Sequence, residues 1–188
     1  MNDWHEQPEG GYIVTPPEWV DRLPERMKDL GRDERRKVPI PIMNLKPDGT
    51  PNFMVVSNDT VQRCGREALC GICGKDLDYW IAFVGGPISA ANGAYTDPPF
   101  HVECAEAAMH FCPHLNRKVH RRAPDEKMPE GSWKSEGAVE EKPAQWIIGI
   151  TRDYRMLPWG QGVLFQCNIR HRRVYEYDEQ GNLQKVSE

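Results

Sequence analysis

The sequence has no long hydrophobic run and no excess of basic residues. No stretch of its 188 residues approaches the roughly 18 consecutive apolar residues that a membrane-spanning helix needs. Its first residues, MNDWHEQPEGG, contain neither a basic region nor an apolar run, so they do not resemble a secretion signal. We therefore expect a soluble, cytoplasmic protein with no membrane partner. The net charge of −4 argues against a generally basic coat for nucleic acid, although a local patch could still bind phosphate groups.

Hydrophobic residues are also few. They make up 39% of the chain, whereas glycine and proline are abundant, with 16 of each. This composition predicts a loop-rich fold built from short elements. The length suits one ordinary domain or two small ones, and it is sufficient to bury a core.

Four residues near the middle of the chain have the spacing of metal ligands. Cys70 and Cys73 form one pair, and after a gap of 27 residues His101 and Cys104 form a second pair. Three thiolates and one imidazole are the ligand set of a closed tetrahedral zinc site. The chain has six cysteines, but thiols paired with a histidine at ligand spacing favour a metal over three disulfides. We predict one structural Zn2+ and no catalytic residue, because four protein ligands leave no open position for water.

The residues around each pair support this interpretation. In CGICGK a glycine follows each cysteine, so the backbone can turn sharply and direct amide groups at the sulfurs. The segment HVECAEAAMHFC predicts a helix that ends before Pro113 and carries His101 and Cys104 on its first turn. The positive end of that helix favours a deprotonated sulfur.

A cysteine knuckle, a hairpin and a helix that supplies the last two ligands together resemble the treble-clef zinc fingers, over about residues 68 to 112. The resemblance implies a zinc-stabilised module. It implies no single function, because treble clefs serve in DNA, RNA and protein binding and in nucleases. The longer strings CGICGKDLDYWIAFVGGP and DPPFHVECAEAAMHFCPHL are also similar to a group of small uncharacterised proteins of actinobacteria and their phages. That similarity implies an accessory or phage-borne role.

The rest of the chain predicts short helices and strands. The run PPEWVDRLPERMKDL predicts one or two helical turns with Trp19, Leu23 and Met27 on one face. The segments VPIPIMNL and PNFMVVS predict two strands around a Pro-Asp-Gly turn, and a helix capped by Ser57 or Asn58 follows from about residue 59 to 69. The segment DYWIAFVGG predicts a strand, and a hairpin or loop follows it.

These elements predict an α+β fold in which a treble-clef-like zinc module packs with short antiparallel β-sheet. Three or four C-terminal strands form a meander that could pair with the hairpin near residues 38 to 56. The expected boundaries are 1–15 for a flexible leader, 16–63 for an N-terminal helix and β-hairpin, 64–122 for the zinc module, 123–143 for a linker or mobile loop, and 144–188 for the C-terminal meander.

Catalysis and a second metal are alternatives that the sequence leaves open. His101 and Glu103 form the His-x-Glu of zinc deaminases, but in that signature the cysteine pair follows the histidine. A nuclease of the His-metal type would need further ligands, and the hairpin segment 78–96 offers only Asp78. A second metal would draw on residues whose spacings match no compact pair, so buried free thiols are the simpler interpretation. These residues are Cys64, Cys112, Cys167, His110 and His114.

Two basic runs, RKVHRR and RHRR, are the alternative basis for function. Basic groups near aromatic side chains can hold a phosphate backbone or a single strand. A solvated face balanced by acidic residues of the linker is the simpler interpretation. A nucleic-acid interface would use Arg117, Lys118, Arg121, Arg122, Arg170, Arg172 and Arg173.

Six tryptophans favour a protein partner. Trp133 lies in the polar linker and Trp159 in a Pro-Trp-Gly turn, and exposed aromatic residues on loops often anchor protein partners. We therefore expect a zinc-stabilised adaptor or regulator that docks a protein, ahead of nucleic-acid binding and of a zinc-dependent nuclease or deaminase-like activity. The sequence predicts no oligomeric state.

Overall fold

A computed structural model describes residues 4–6, 12–14, 22–34, 38–53, 55–116, 118 and 142–187. In this part of the chain, short helices pack with a five-stranded and a three-stranded antiparallel sheet, which confirms the expected α+β fold class. A two-stranded hairpin lies near the N-terminus.

Four helices and ten strands are described. The helices are α1 (Asn58–Glu67), α2 (Pro87–Asn92), α3 (Val102–Phe111) and α4 (Pro113–Asn116), with 3-10 turns at Glu25–Met27 and Ile42–Asn44. The strands are β1 (Trp4–Glu6), β2 (Tyr12–Val14), β3 (Ile81–Gly85), β4 (Ala94–Tyr95), β5 (Phe100–His101), β6 (Gln145–Thr151), β7 (Arg155–Trp159), β8 (Gly162–Gln166), β9 (His171–Tyr177) and β10 (Leu183–Ser187).

The larger sheet has the strand order β10-β9-β6-β3-β5, and its neighbours are antiparallel. Successive side chains of a strand point to opposite faces of the sheet. On β3, Ala82 and Val84 belong to a core that includes residues of α3, whereas Ile81 and Phe83 belong to a second core shared with the sheet β4-β8-β7. Because both of its faces are covered, β3 is buried along its whole length.

The predicted helix before the first cysteine pair is present as α1. The Ser57 hydroxyl oxygen accepts a hydrogen bond from the Thr60 amide at 3.3 Å, which satisfies one of the free donors at the helix start. The helix ends at Ala68, whose φ of 53° is left-handed and turns the chain toward the first cysteine pair.

The predicted hairpin between residues 38 and 56 is wrong, because neither of its strands forms among the described residues. The structure has a 3-10 turn at Ile42–Asn44 and two isolated bridges, Arg32–Pro39 and Leu45–Pro51. The prolines at 39 and 41 lack amide donors. The next amides, of Ile42 and Met43, donate to the carbonyls of residues 72 and 71 at 3.0 and 3.1 Å. The segment therefore packs on the cysteine knuckle instead of forming a sheet edge.

The C-terminal strands also do not form the single meander that the sequence predicts, because they belong to two sheets. Five strands are present, and the β7-β8 hairpin leaves the larger sheet to pair with β4. Strand β6 pairs with β3 and β9, so the C-terminal strands join the zinc module and not the segment 38–56. The expected single sheet of both chain ends is therefore wrong.

Other expectations fall partly within the described residues. Leu23 and Met27 are buried as predicted, around one 3-10 turn, and Trp19 lies outside the described ranges. Strands β1 and β2 lie in the expected leader, where no strand is predicted. The loop expected after β3 contains helix α2 and strands β4 and β5. Most of the predicted linker, residues 123–141, also falls outside the described ranges.

Candidate metal centre

The structure brings the four predicted ligands together. One ligand atom each from Cys70, Cys73, His101 and Cys104 lies within 4.8 Å of the other three. Cys73 is 8% exposed and the other three side chains are fully buried. Four convergent donors, all of them buried, are the arrangement of a closed metal site.

The distances between donor atoms fit a single ion. Cys73 Sγ lies 3.3 Å and Cys104 Sγ 3.8 Å from His101 Nδ1. Zinc bonds of about 2.3 Å to sulfur and about 2.0 Å to nitrogen place tetrahedral S and N ligands about 3.6 Å apart. The observed separations lie on either side of that value, so these residues could hold one metal ion.

A second hydrogen bond orients the histidine ring. His101 Nε2 lies 2.8 Å from the backbone oxygen of Asp76, which can only accept a hydrogen bond. Nε2 therefore carries the proton, and the lone pair of Nδ1 faces the three sulfurs. This is how proteins commonly fix the tautomer of a metal-binding histidine.

The backbone of the knuckle turns sharply, as the glycines predict. The amide of Gly74 donates to the Cys70 carbonyl at 2.8 Å, and the φ of 73° at Gly74 is left-handed. Gly71 has a different role: a Cβ there would lie 2.4 Å from Cγ of Pro98. The amide of His101 donates to the sulfur of Cys70 at 3.4 Å, so the second ligand pair stabilises a sulfur of the first.

Charges within the cluster explain why a cation suits it. Hydrogen bonds with Cys104 and Cys70 lower the pKa of the Cys73 thiol, whereas hydrogen bonds with Cys70 and Cys73 raise the pKa of Cys104. Burial lowers the pKa of His101, but its hydrogen bonds with the Cys70 and Cys73 sulfurs outweigh burial and raise it to about 10. The thiols therefore do not ionise together unaided, and a bound cation would supply the missing positive charge.

Helix α3 positions the second ligand pair. His101 is its N-cap residue and Cys104 lies in its first turn, as the sequence predicts. Ala105 and Met109 anchor this helix in the core, while Glu103 points to the surface. Once a cation is bound, the positive end of the helix would add to the stabilisation of a thiolate at Cys104.

The residues predicted for a deaminase-like site and for a second metal site do not form those sites in the described part of the chain. The Glu103 carboxylate is half-exposed and lies 2.5 Å from Nε of Arg26, so an ion pair occupies the group that a deaminase would use to transfer protons. The five residues of the predicted second metal site form no candidate metal cluster among the described residues. Burial raises the pKa of the Cys64 and Cys167 thiols to about 11 and also raises that of Cys112.

A groove of about 610 Å3 lies beside the metal helix. Its walls come from the segment before β3, from the start of α3 and from β6 and β9, and we call it the groove below. Its residues are Asp78, Tyr79, Trp80, Val102, Glu103, Glu106, Ile150, His171, Arg172 and Arg173. Aromatic, aliphatic, acidic and basic side chains are therefore mixed along one surface.

The basic residues predicted for a nucleic-acid interface differ in their partners and in their exposure to solvent. Arg173 pairs with Glu106, whereas Arg172 Nη2 donates to the backbone oxygen of Ala90 at 3.1 Å. Arg170 is exposed just before β9, and Lys118 is exposed with its amide bonded to Gly181. Arg117, Arg121 and Arg122 lie outside the described ranges. Among the described basic residues of the two runs, those that line the groove, Arg172 and Arg173, belong to the second run.

Two aromatic residues, Tyr79 and Trp80, lie beside that run. The Trp80 ring meets His171 edge to face at 5.1 Å, and the guanidinium of Arg152 lies 4.8 and 4.9 Å from the ring centres of Trp80 and Tyr79. This cluster was not predicted, because its members come from three separate strands or strand ends. Trp159 is 40% exposed as expected, whereas Trp133 lies outside the described part of the chain.

Comparisons with known proteins give no relative from which a function could be transferred. Models of protein families, curated proteins and solved structures contain no match to the chain. Within the described ranges, no helix has the length and apolar character needed to cross a bilayer.

Proposed function

We propose that Cys70, Cys73, His101 and Cys104 hold one structural Zn2+. The observation that carries this proposal is the burial of four convergent donors, which leaves no face of the site open to substrate or water. Three thiolates and one imidazole favour zinc over hard cations such as Mg2+ or Ca2+. Within this proposal the knuckle, the β3-β5 pair and α3 form a treble-clef-like module.

Zinc at this position would connect two segments that lie far apart in the sequence. The knuckle itself receives hydrogen bonds from Ile42 and Met43, and the second ligand pair starts α3. Structural zinc contributes about 10–16 kcal/mol in small domains, which is comparable to the whole stability of an ordinary domain. We expect chelation to unfold at least residues 64 to 114.

Hydrogen exchange with and without a chelator tests this expectation. Backbone amides in residues 64 to 114 should lose protection when Zn2+ is removed and regain it when Zn2+ is added back. Unchanged protection of these amides in the metal-free protein would contradict a structural role for the metal.

The protein's activity, in this proposal, is to dock another protein as a non-catalytic adaptor or regulator. The groove supports this proposal, because an exposed Tyr79, Trp80 and aliphatic residues lie there among charges of both signs. Aromatic anchors within a polar rim are typical of protein interfaces. We also propose that the gene is phage-borne, in which case the partner is a host protein.

Charge in the groove favours a protein over nucleic acid. Three acidic residues, Asp78, Glu103 and Glu106, line the same surface as the arginines of the second basic run. A phosphate backbone would be repelled by these carboxylates, and Arg173 is already paired with Glu106.

Affinity capture followed by reconstitution tests docking. The zinc-loaded chain should retain the same protein from a lysate of its native host with and without nuclease treatment. That protein, once purified, should bind the chain directly in isothermal titration calorimetry. Recovery that nuclease abolishes would favour nucleic-acid binding, and a purified candidate that fails to bind would contradict docking.

A further inference from the structure

We propose that the groove binds a segment of a protein partner that places one acidic side chain on the guanidinium of Arg152, away from the groove carboxylates. This inference rests on the proposed docking function and adds the chemistry of the partner. Its central observation is that Arg152 lies over the rings of Tyr79 and Trp80, two residues that line the groove.

Arg152 contacts two aromatic rings but has no acidic partner among the described residues. Its guanidinium carbon lies 4.9 Å from the ring centre of Tyr79 and 4.8 Å from that of Trp80. Within the described residues, no carboxylate lies at ion-pair distance from it. Stacking on aromatic rings leaves the N–H groups at the guanidinium edge free to bind a carboxylate with two parallel hydrogen bonds.

The acidic residues of the groove share two arginines, Arg173 and Arg26. Glu106 pairs with Arg173, and Arg26 lies 3.0 Å from Asp78 and 2.5 Å from Glu103. One arginine shared by two carboxylates leaves one negative charge in surplus. We infer that the partner's acidic group binds at Arg152, and that a basic side chain is favoured beside Asp78 and Glu103.

Strand geometry explains why Arg172 does not compete for this role. Residues 171 and 173 of β9 point to the face that carries α3, because Arg173 reaches Glu106 on that helix. Arg172, between them, points to the opposite face and donates to the Ala90 carbonyl. Arg152, which contacts two groove residues, therefore remains as the cation available to a partner carboxylate.

The apolar part of the groove suits a peptide side chain next to the carboxylate. Val102 and Ile150 supply aliphatic surface, and His171 holds Trp80 in place through an edge-to-face contact. Tyr79 is 65% exposed, which leaves an aromatic surface for a partner to cover. The volume of about 610 Å3 lies within the range of pockets that bind small molecules and short segments.

Selection from a phage-displayed library of random peptides, about twelve residues long, tests this inference on the zinc-loaded full chain. Peptides selected by the wild-type chain should be enriched in Asp or Glu next to an aromatic or aliphatic residue. The strongest synthetic peptide should bind at least tenfold more weakly to Arg152→Gln and to Tyr79→Ala. The control Arg155→Gln, at an exposed arginine in the other sheet, should bind it like the wild type.

Several outcomes would overturn the inference. They are no enrichment over empty beads, a basic or uncharged consensus, acidic peptides that Arg152→Gln still binds, or a single-stranded oligonucleotide that displaces the selected peptide. Metal content and melting temperature of each variant show that it is folded. A host protein that binds directly and equally well to Arg152→Gln would leave the docking function in place while refuting the acidic side chain on Arg152.

Discussion

Replacing Gly71 with alanine tests how closely the two halves of the metal site must approach. The φ of Gly71 lies outside the left-handed region, so alanine suits the backbone. Its Cβ, however, would lie 2.4 Å from Cγ of Pro98 and 3.1 Å from Cε1 of Phe100. An ordinary contact begins near 3.4 Å, so the segment just before His101 must move by about 1 Å.

This shift should weaken metal binding. Overpacking a buried site costs about 1–3 kcal/mol, and the lower entropy of an unfolded alanine chain recovers about 0.4–1 kcal/mol. Metal–ligand distances tolerate only about 0.2 Å. A net loss of about 1–2 kcal/mol would lower the Zn2+ affinity of Gly71→Ala about 5- to 30-fold.

Competition with a chromophoric chelator measures this affinity. The matched control is Gly31→Ala, whose Cβ would meet only Ile40 at an ordinary 3.8 Å. Gly31→Ala should bind Zn2+ like the wild type. Equal affinities for Gly71→Ala and Gly31→Ala would refute the reasoning about the contact with Pro98.

Two further predictions concern the second core and the free thiols. Gly65→Ala gains about 1 kcal/mol in helix propensity but places Cβ 2.6 Å from Phe165 and 2.7 Å from Met156, so urea unfolding should show a net destabilisation of about 1 kcal/mol. A free energy of unfolding equal to or higher than that of the wild type would contradict this prediction, because it would mean that Phe165 and Met156 can move aside without cost. Burial, and then the charge of Asp153, raise the pKa of Cys167 to about 11, so its alkylation rate should rise about tenfold per pH unit up to about pH 11. A plateau near pH 9 in mass spectrometry would contradict the raised pKa.

The metal cluster is predictable from sequence because its spacing is local. Each pair fits one turn of backbone, and the glycines and the helix start belong to the same short segments. The Asp76 carbonyl that orients His101 has no sequence signal, since a backbone oxygen carries no residue identity. Only the folded knuckle places it opposite the ring.

The groove could not be predicted, because long-range pairing creates it. Trp80, Arg152 and His171 are far apart in sequence and meet because β6 pairs with both β3 and β9. The periodicity of each strand indicates two faces but not which strand lies beside it. The same lack of pairing information explains why the sequence predicts one meander where the structure has C-terminal strands in two sheets.

The wrong strand at residues 38–45 has a different cause. Its residues have strand-like side chains, but the prolines at 39 and 41 remove amide donors and the following amides bond to the knuckle. Pairing with a distant segment therefore overrides the local preference.

Metal content of purified variants tests the central claim most directly. Inductively coupled plasma mass spectrometry should find one zinc per chain in the wild type and in Cys167→Ser, a half-buried cysteine outside the cluster. Cys73→Ser should lose most of its zinc and melt at a lower temperature. A Cys73→Ser protein that keeps one zinc per chain and the wild-type melting temperature would contradict the account.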